Sequence, residues 1–151
     1  MSSVALSGED TVVINNKTLV DFGDGDIANL EFPNEIAAVK TGKNGNSIYS
    51  ANETGKQADL TIRVLRGSAD DKFLNNLLVG QLNNFAGTIL MTGEFVKKVG
   101  DGLGNILNDT YITSGGVFTK IPGAKSNVEG DSEQSVVVYN LKFSNAPRVL
   151  T

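Results

Sequence analysis

Residues 58–66 set the tone of the chain: Ala58, Leu60, Ile62 and Val64 fall on one side of an extended backbone, and Asp59, Thr61 and Arg63 on the other. That period of two belongs to a half-buried strand and suits no helix. It returns at 135–144, where Val137, Tyr139, Leu141 and Phe143 share a face. Shorter runs at 11–15, 18–22, 27–32, 36–41 and 47–51 read as strands. So do 88–99, with Ile89, Met91 and Phe95 on one face, and 110–121. Turns rich in Gly, Asn and Asp separate them, at 15–17, 23–26, 42–46 and 100–105. Glycine supplies 17 of 151 residues, about 11% against a usual 7%. Such punctuation favours many short strands. Gly115-Gly116 predicts a bulge inside its strand.

One stretch breaks the pattern. Phe73, Leu74, Leu77, Leu78 and Leu82 recur at spacings of three and four, which predicts a helix over 69–83. Ser68 is placed to cap it, and Asp70 and Asp71 suit the positive end of its dipole. The stripe predicts a helix docked on the sheets. A length of 151 residues fits one domain, 1–151. Residues 1–10 are expected to form an N-terminal arm or a loosely held start.

The chain has no histidine and no cysteine. Thiol nucleophiles, disulfides, thiolate metal sites and most histidine-based triads are thereby excluded. Asp21, Asp24 and Asp26 suggest a calcium loop, but Ala28 and Asn29 stand where that loop needs a ligand and a glycine, so an acidic turn is expected. Gly42-Lys43-Asn44-Gly45 lacks the Gly-Lys-Ser/Thr ending of a phosphate loop. The carboxylate of Asp101 has no neighbour in sequence for acid–base work. No enzyme, cofactor or metal is expected. The net charge of −4 speaks against a nucleic-acid-gripping chain. No apolar run reaches the ~20 residues of a membrane helix. No signal-peptide pattern opens the sequence, so the sequons at Asn16, Asn52 and Asn108 read as chance.

Residues 42–57 read as an extended polar loop between two strands, longer than ordinary hairpin connections. Lys43, Asn44, Asn46, Ile48, Tyr49, Glu53 and Lys56 make it a candidate contact with another copy, its mixed charges pairing across the junction.

Three segments carry a resemblance. Residues 19–75 read LVDFGDGDIANLEFPNEIAAVKTGKNGNSIYSANETGKQADLTIRVLRGSADDKFLN, residues 84–95 NFAGTILMTGEF, and residues 124–147 AKSNVEGDSEQSVVVYNLKFSNAP. Together they resemble the tail tube proteins of contractile-tailed bacteriophages, over nearly the whole chain. The resemblance implies two packed, mostly antiparallel sheets, as a β-sandwich or barrel, with one flanking helix. It implies hexameric rings that stack into a hollow tube. In such a tube the long polar stretch 42–57 would reach the next ring, which makes it the expected ring-to-ring contact, with a mobile surface loop as the plain alternative. It also implies a surrounding sheath protein, a baseplate or tail initiator, a tape measure protein, and DNA passing through without specific binding. The place would be the virion, after assembly in the host cytoplasm. Channel-facing side chains should then sum to zero or negative charge, and Asp59 and Arg63 are candidates to face the lumen. Tubes of tailocins and of secretion-type contractile machines share that fold and form the alternative. A carbohydrate-binding β-sandwich is more remote, since it would need exposed aromatics in a chain with no tryptophan.

Overall fold

The computed structural model describes residues 3–23, 26–126, 128, 130 and 132–151. Asp24 and Gly25, the centre of the acidic turn, lie outside the described residues, as do Met1 and Ser2 of the N-terminal arm. The chain is mainly β. Its strands are β1 (Ala5–Leu6), β2 (Thr11–Ile14), β3 (Lys17–Leu19), β4 (Ala28–Glu31), β5 (Ala37–Thr41), β6 (Ser47–Ala51), β7 (Ala58–Leu65), β8 (Met91–Gly100), β9 (Ile106–Phe118), β10 (Val136–Asn145) and β11 (Arg148–Leu150). One α-helix, α1 (Ala69–Asn83), follows β7. The large sheet is antiparallel, in the order β3-β2-β8-β9-β10-β7-β4, with β1 added to β8 and β11 to β9. Among the described residues, strands β5 and β6 pair only with each other.

The expected strands fall close to their sequence positions because alternation sets burial directly. On β7, Ala58, Leu60, Ile62 and Val64 are buried, and on β10 so are Val137, Tyr139, Leu141 and Phe143. Asn15 and Asn16 both take positive φ, the conformation of a tight two-residue hairpin between β2 and β3. The bulge expected at Gly115-Gly116 is present. Gly93 pairs with Thr113 and Met91 with Gly116, so β9 carries one extra residue there, and Gly115 sits at φ +67°.

Four expectations about segments and their bounds are corrected. Residues 1–10 are not wholly loose, since Ala5 and Leu6 pair with Gly100 and Val99. Strand β8 starts at Met91, leaving Ile89 before it and exposed, because the 3-10 segment Phe85–Gly87 first turns the chain out of α1. Strand β9 begins at Ile106, earlier than expected. The Asp101 carboxylate accepts from the N–H groups of Leu103 (2.7 Å) and Asn105 (3.2 Å), which makes the turn tight enough for pairing to resume at once. Residues 42–57 are not an extended loop throughout, since the strand expected at 47–51 forms as β6 and a 3-10 turn, Glu53–Lys56, follows it.

Both walls of the core come from the single large sheet, which curls on itself. Residues 17–19 pair with β2 at one edge, and within a few residues the chain joins the other edge, where the Leu65 N–H donates to the Asp21 carbonyl (2.9 Å) and Phe22 bridges Val64. The sheet does not close into a barrel. Val12, Ile14 and Leu19 from one edge region and Leu60, Ile62 and Val64 from the other form one cluster, sealed by Leu74 and Leu78 of α1. Asp70, 1% exposed, holds the crossing: its Oδ2 accepts from the backbone N–H of Val20 (2.6 Å) and Asp21 (2.7 Å). Lys17 lies 3.3 Å from its Oδ1.

The helix occupies the expected range. Ser68 Oγ accepts from the Asp71 N–H at 3.2 Å, the expected cap. Leu74 and Leu78 are buried, and Phe73 and Leu77 pack partly buried against the core. Leu82 is corrected: it is 57% exposed, and Gln81 is buried instead. Strand β8 begins opposite Gly116, so Phe118 of β9 lacks a strand partner on that side. The Gln81 amide fills the gap, donating to the Phe118 carbonyl and accepting from its N–H, both at 2.9 Å.

Candidate assembly interface

The segment with the strongest claim to function is the β5–β6 hairpin. Five residue pairs, from Ala37 opposite Ala51 to Thr41 opposite Ser47, hold its strands in register. Gly45, at φ +80°, closes the tip, where the Gly42 N–H donates to the Asn46 carbonyl at 2.7 Å. All ten strand residues are exposed. Val39 lies opposite Tyr49 and Lys40 opposite Ile48, so each face carries a large apolar side chain. Ile48 is 70% and Tyr49 77% exposed.

The root of this arm is fixed. The Asn52 N–H donates to the Ile36 carbonyl at 2.8 Å, and the Asn34 amide donates to the Thr54 carbonyl at 3.3 Å. Gly55 lies against residues 35 and 36, where a Cβ would stand 2.6 Å from the Glu35 carbonyl oxygen. A side chain at position 55 would push the root apart. The arm therefore leaves the body on a braced base.

The residues expected to make the contact with another copy divide by position. Lys43, Asn44 and Asn46 sit at the tip, and Ile48 and Tyr49 on opposite faces of β6. Glu53 and Lys56 lie at the root and pair with each other at 2.8 Å. The Lys56 ammonium, through its hydrogen bond and its charge, holds the Glu53 carboxyl below its usual range. The structure thus brings these two together within one chain.

Asp59 and Arg63 lie on the face of β7 opposite the core. Register places Glu31, Asn29, Thr61, Asn140 and Lys142 on that same face, and Lys142 lies 3.7 Å from Asp59. Its charged strand residues are two acids, Glu31 and Asp59, and two bases, Arg63 and Lys142. This polar wall is the counterpart of the core wall that α1 covers.

Sequence reading missed an apolar groove beside the arm root, lined by Phe32, Ile36, Tyr111 and Pro147. It arises because β11 continues the line of β10 along β9 after the break at Ala146-Pro147, and because Phe32, just past β4, reaches Tyr111 with ring centres 6.0 Å apart. Arg148 caps one side in a two-pronged pair with Asp109, at 2.7 and 2.9 Å. That guanidinium holds the Asp109 carboxyl below its ordinary range. None of these contacts is local in sequence. Among the described residues, no group of three or more acidic, His or Cys side chains is placed to hold a metal ion. No helix there is long and apolar enough to cross a membrane. No family model matches the chain, and no curated protein matches it significantly.

Proposed function

We propose that this chain is the structural subunit of the tail tube of a contractile-tailed bacteriophage. In this reading six copies form a ring, and rings stack into a hollow tube that conducts DNA during ejection. A sheath protein surrounds the tube, a baseplate or tail initiator nucleates it, and a tape measure protein is a further partner. The observation that carries the reading is the braced, fully exposed β5–β6 arm, on a chain whose sequence resembles that family. A two-stranded hairpin is marginally stable alone in water, and this one leaves Ile48 and Tyr49 in solvent. Docking on another copy would give those side chains a burial partner. Among the described residues no strand pairs with the outer edges of β3 and β4, and ring closure would satisfy them.

The polar wall of β4, β7 and β10 is the proposed lumen surface. With Glu31 and Asp59 set against Arg63 and Lys142, its charge sums to zero. Such a wall lets DNA slide, because it neutralises few phosphates and releases few counterions. Negative-stain electron microscopy of the concentrated purified protein tests the reading. Six-fold rings and stacked tubes are expected. Rings of another symmetry, or a virion whose stacked six-fold core is built from a different protein, would refute it.

A further inference from the structure

Resting on the reading of the chain as a self-assembling subunit, we propose that the β5–β6 arm of one copy docks in the apolar groove at the arm root of the next. The groove, about 560 Å³, has apolar walls from Phe32, Ile36, Tyr111 and Pro147, and its polar side chains are Asn34, Asn145, Lys56 and Arg148. Apolar walls with a few placed polar groups are the usual make-up of a binding cleft of this size. Tyr49 matches it, with a ring for the Phe32–Tyr111 aromatic pair and a hydroxyl for an asparagine.

The occupant is a second copy for three reasons. First, an arm cannot serve its own groove. Ile36 immediately precedes β5 and Gly55 follows β6, so the hairpin departs from the groove's own wall. Its five paired residues make a stiff ribbon of about 17 Å, and the braces at Asn52 and Gly55 prevent it from folding back. Second, charge favours the pairing. The arm carries Lys40 and Lys43 and no acid, +2 of a chain whose total is −4, so the body carries −6. The two cations lining the groove are each paired with an acid of their own chain, Lys56 with Glu53 and Arg148 with Asp109, and Glu35 lies in sequence between two groove residues. Third, Tyr49 and its cross-strand neighbour Val39 share one exposed face of the arm, and burying an aromatic side chain alone covers roughly 150–250 Å² of the roughly 800 Å² that one partner contributes to a stable interface. Donor and acceptor surfaces are different, so the contact is head-to-tail and extends without limit unless geometry closes it.

Complementary variants test this. Ile48→Ser with Tyr49→Ser disables the arm and keeps the groove. Phe32→Glu disables the groove and keeps the arm, and Pro147→Glu replaces it if circular dichroism shows that Phe32→Glu unfolds. Each variant alone should show no head-to-tail association by sedimentation. Mixed in equal amounts they should pair, with a roughly twofold rise in mass and no further growth. If lateral contacts form rings, the pairing should join two rings. Raising salt should weaken the pair, because Lys40 and Lys43 contribute at its rim. A mixture that sediments as its separate components overturns the inference, as does an arm variant that extends like the wild type. Wild-type tubes beside an unpaired mixture would remove this contact and leave the tube reading standing. A paired mixture with no six-fold tube from the wild type would do the reverse.

Discussion

Replacing Asp70 by Asn should destabilise the fold by about 2–4 kcal/mol. The carboxylate accepts two backbone N–H groups, from Val20 at 2.6 Å and Asp21 at 2.7 Å, where the chain passes from one sheet edge to the other. Hydrogen bonds to a charged group are each worth about 1.5–3 kcal/mol. An amide keeps the shape but loses the charge and one acceptor oxygen. The Lys17 ion pair adds little, about 0–1 kcal/mol, because the lysine is partly exposed. Urea denaturation at pH 7 measures the loss, with an unchanged slope if the unfolded state is unaffected. The pH dependence supplies a second readout. Burial pushes the Asp70 carboxyl up, but the N–H groups of Asp21 and Val20, with Lys17, outweigh it and hold it below its usual range. A carboxyl lowered on folding contributes stability that is fully present above its unfolded value, about 4, and is lost as pH falls through the folded value. The gap between wild type and Asp70→Asn should therefore narrow below about pH 4. A loss under about 0.5 kcal/mol, or a gap that stays constant down to pH 2, would refute the assignment of Asp70 as the clamp of the crossing.

Leu74 is fully buried and Leu82 is not, so Leu74→Ala should cost about 2–5 kcal/mol and Leu82→Ala less than about 0.5 kcal/mol, by the same denaturation assay. Leu77, partly buried, should fall between, at about 1–2 kcal/mol. Thr113 Oγ1 is buried with no hydrogen-bond partner among the described residues. Thr113→Val should then be neutral or stabilising by up to about 1 kcal/mol, and a clear destabilisation would reveal a partner for that hydroxyl. Gly55→Ala should raise hydrogen exchange at Asn52, because the added Cβ meets the Glu35 carbonyl oxygen at 2.6 Å. Unchanged exchange there would mean that the arm root is not braced by this contact.

The strands were legible because alternation records which side of a sheet meets the core, as β7 does from Ala58 to Val64 and β10 from Val137 to Phe143. The helix was legible from its stripe, but the end of the stripe was not. Gln81 sits three residues after Leu78 and seven after Leu74, on the buried line, yet a polar residue there looks like the solvent face. Its burial depends on the unpaired N–H and C=O of Phe118, thirty-seven residues away. Asp70 was read for its place in the first turn, while its main task is set by Val20 and Asp21. The groove was invisible for the same reason, since Phe32, Tyr111 and Pro147 meet only once the sheet has curled. The two strands of the arm were legible at 36–41 and 47–51, but their pairing into an exposed hairpin was not, because strands with no buried face carry no alternation that says what they pack on.

The most direct measurement is a helical reconstruction by cryo-electron microscopy of tubes grown from the purified chain. The account predicts six copies per ring, the wall containing Asp59 and Arg63 toward the channel, α1 away from it, and each β5–β6 arm seated in the next ring beside Tyr111. Tubes with another subunit number, with the α1 face lining the channel, or with Tyr49 left in solvent would contradict it.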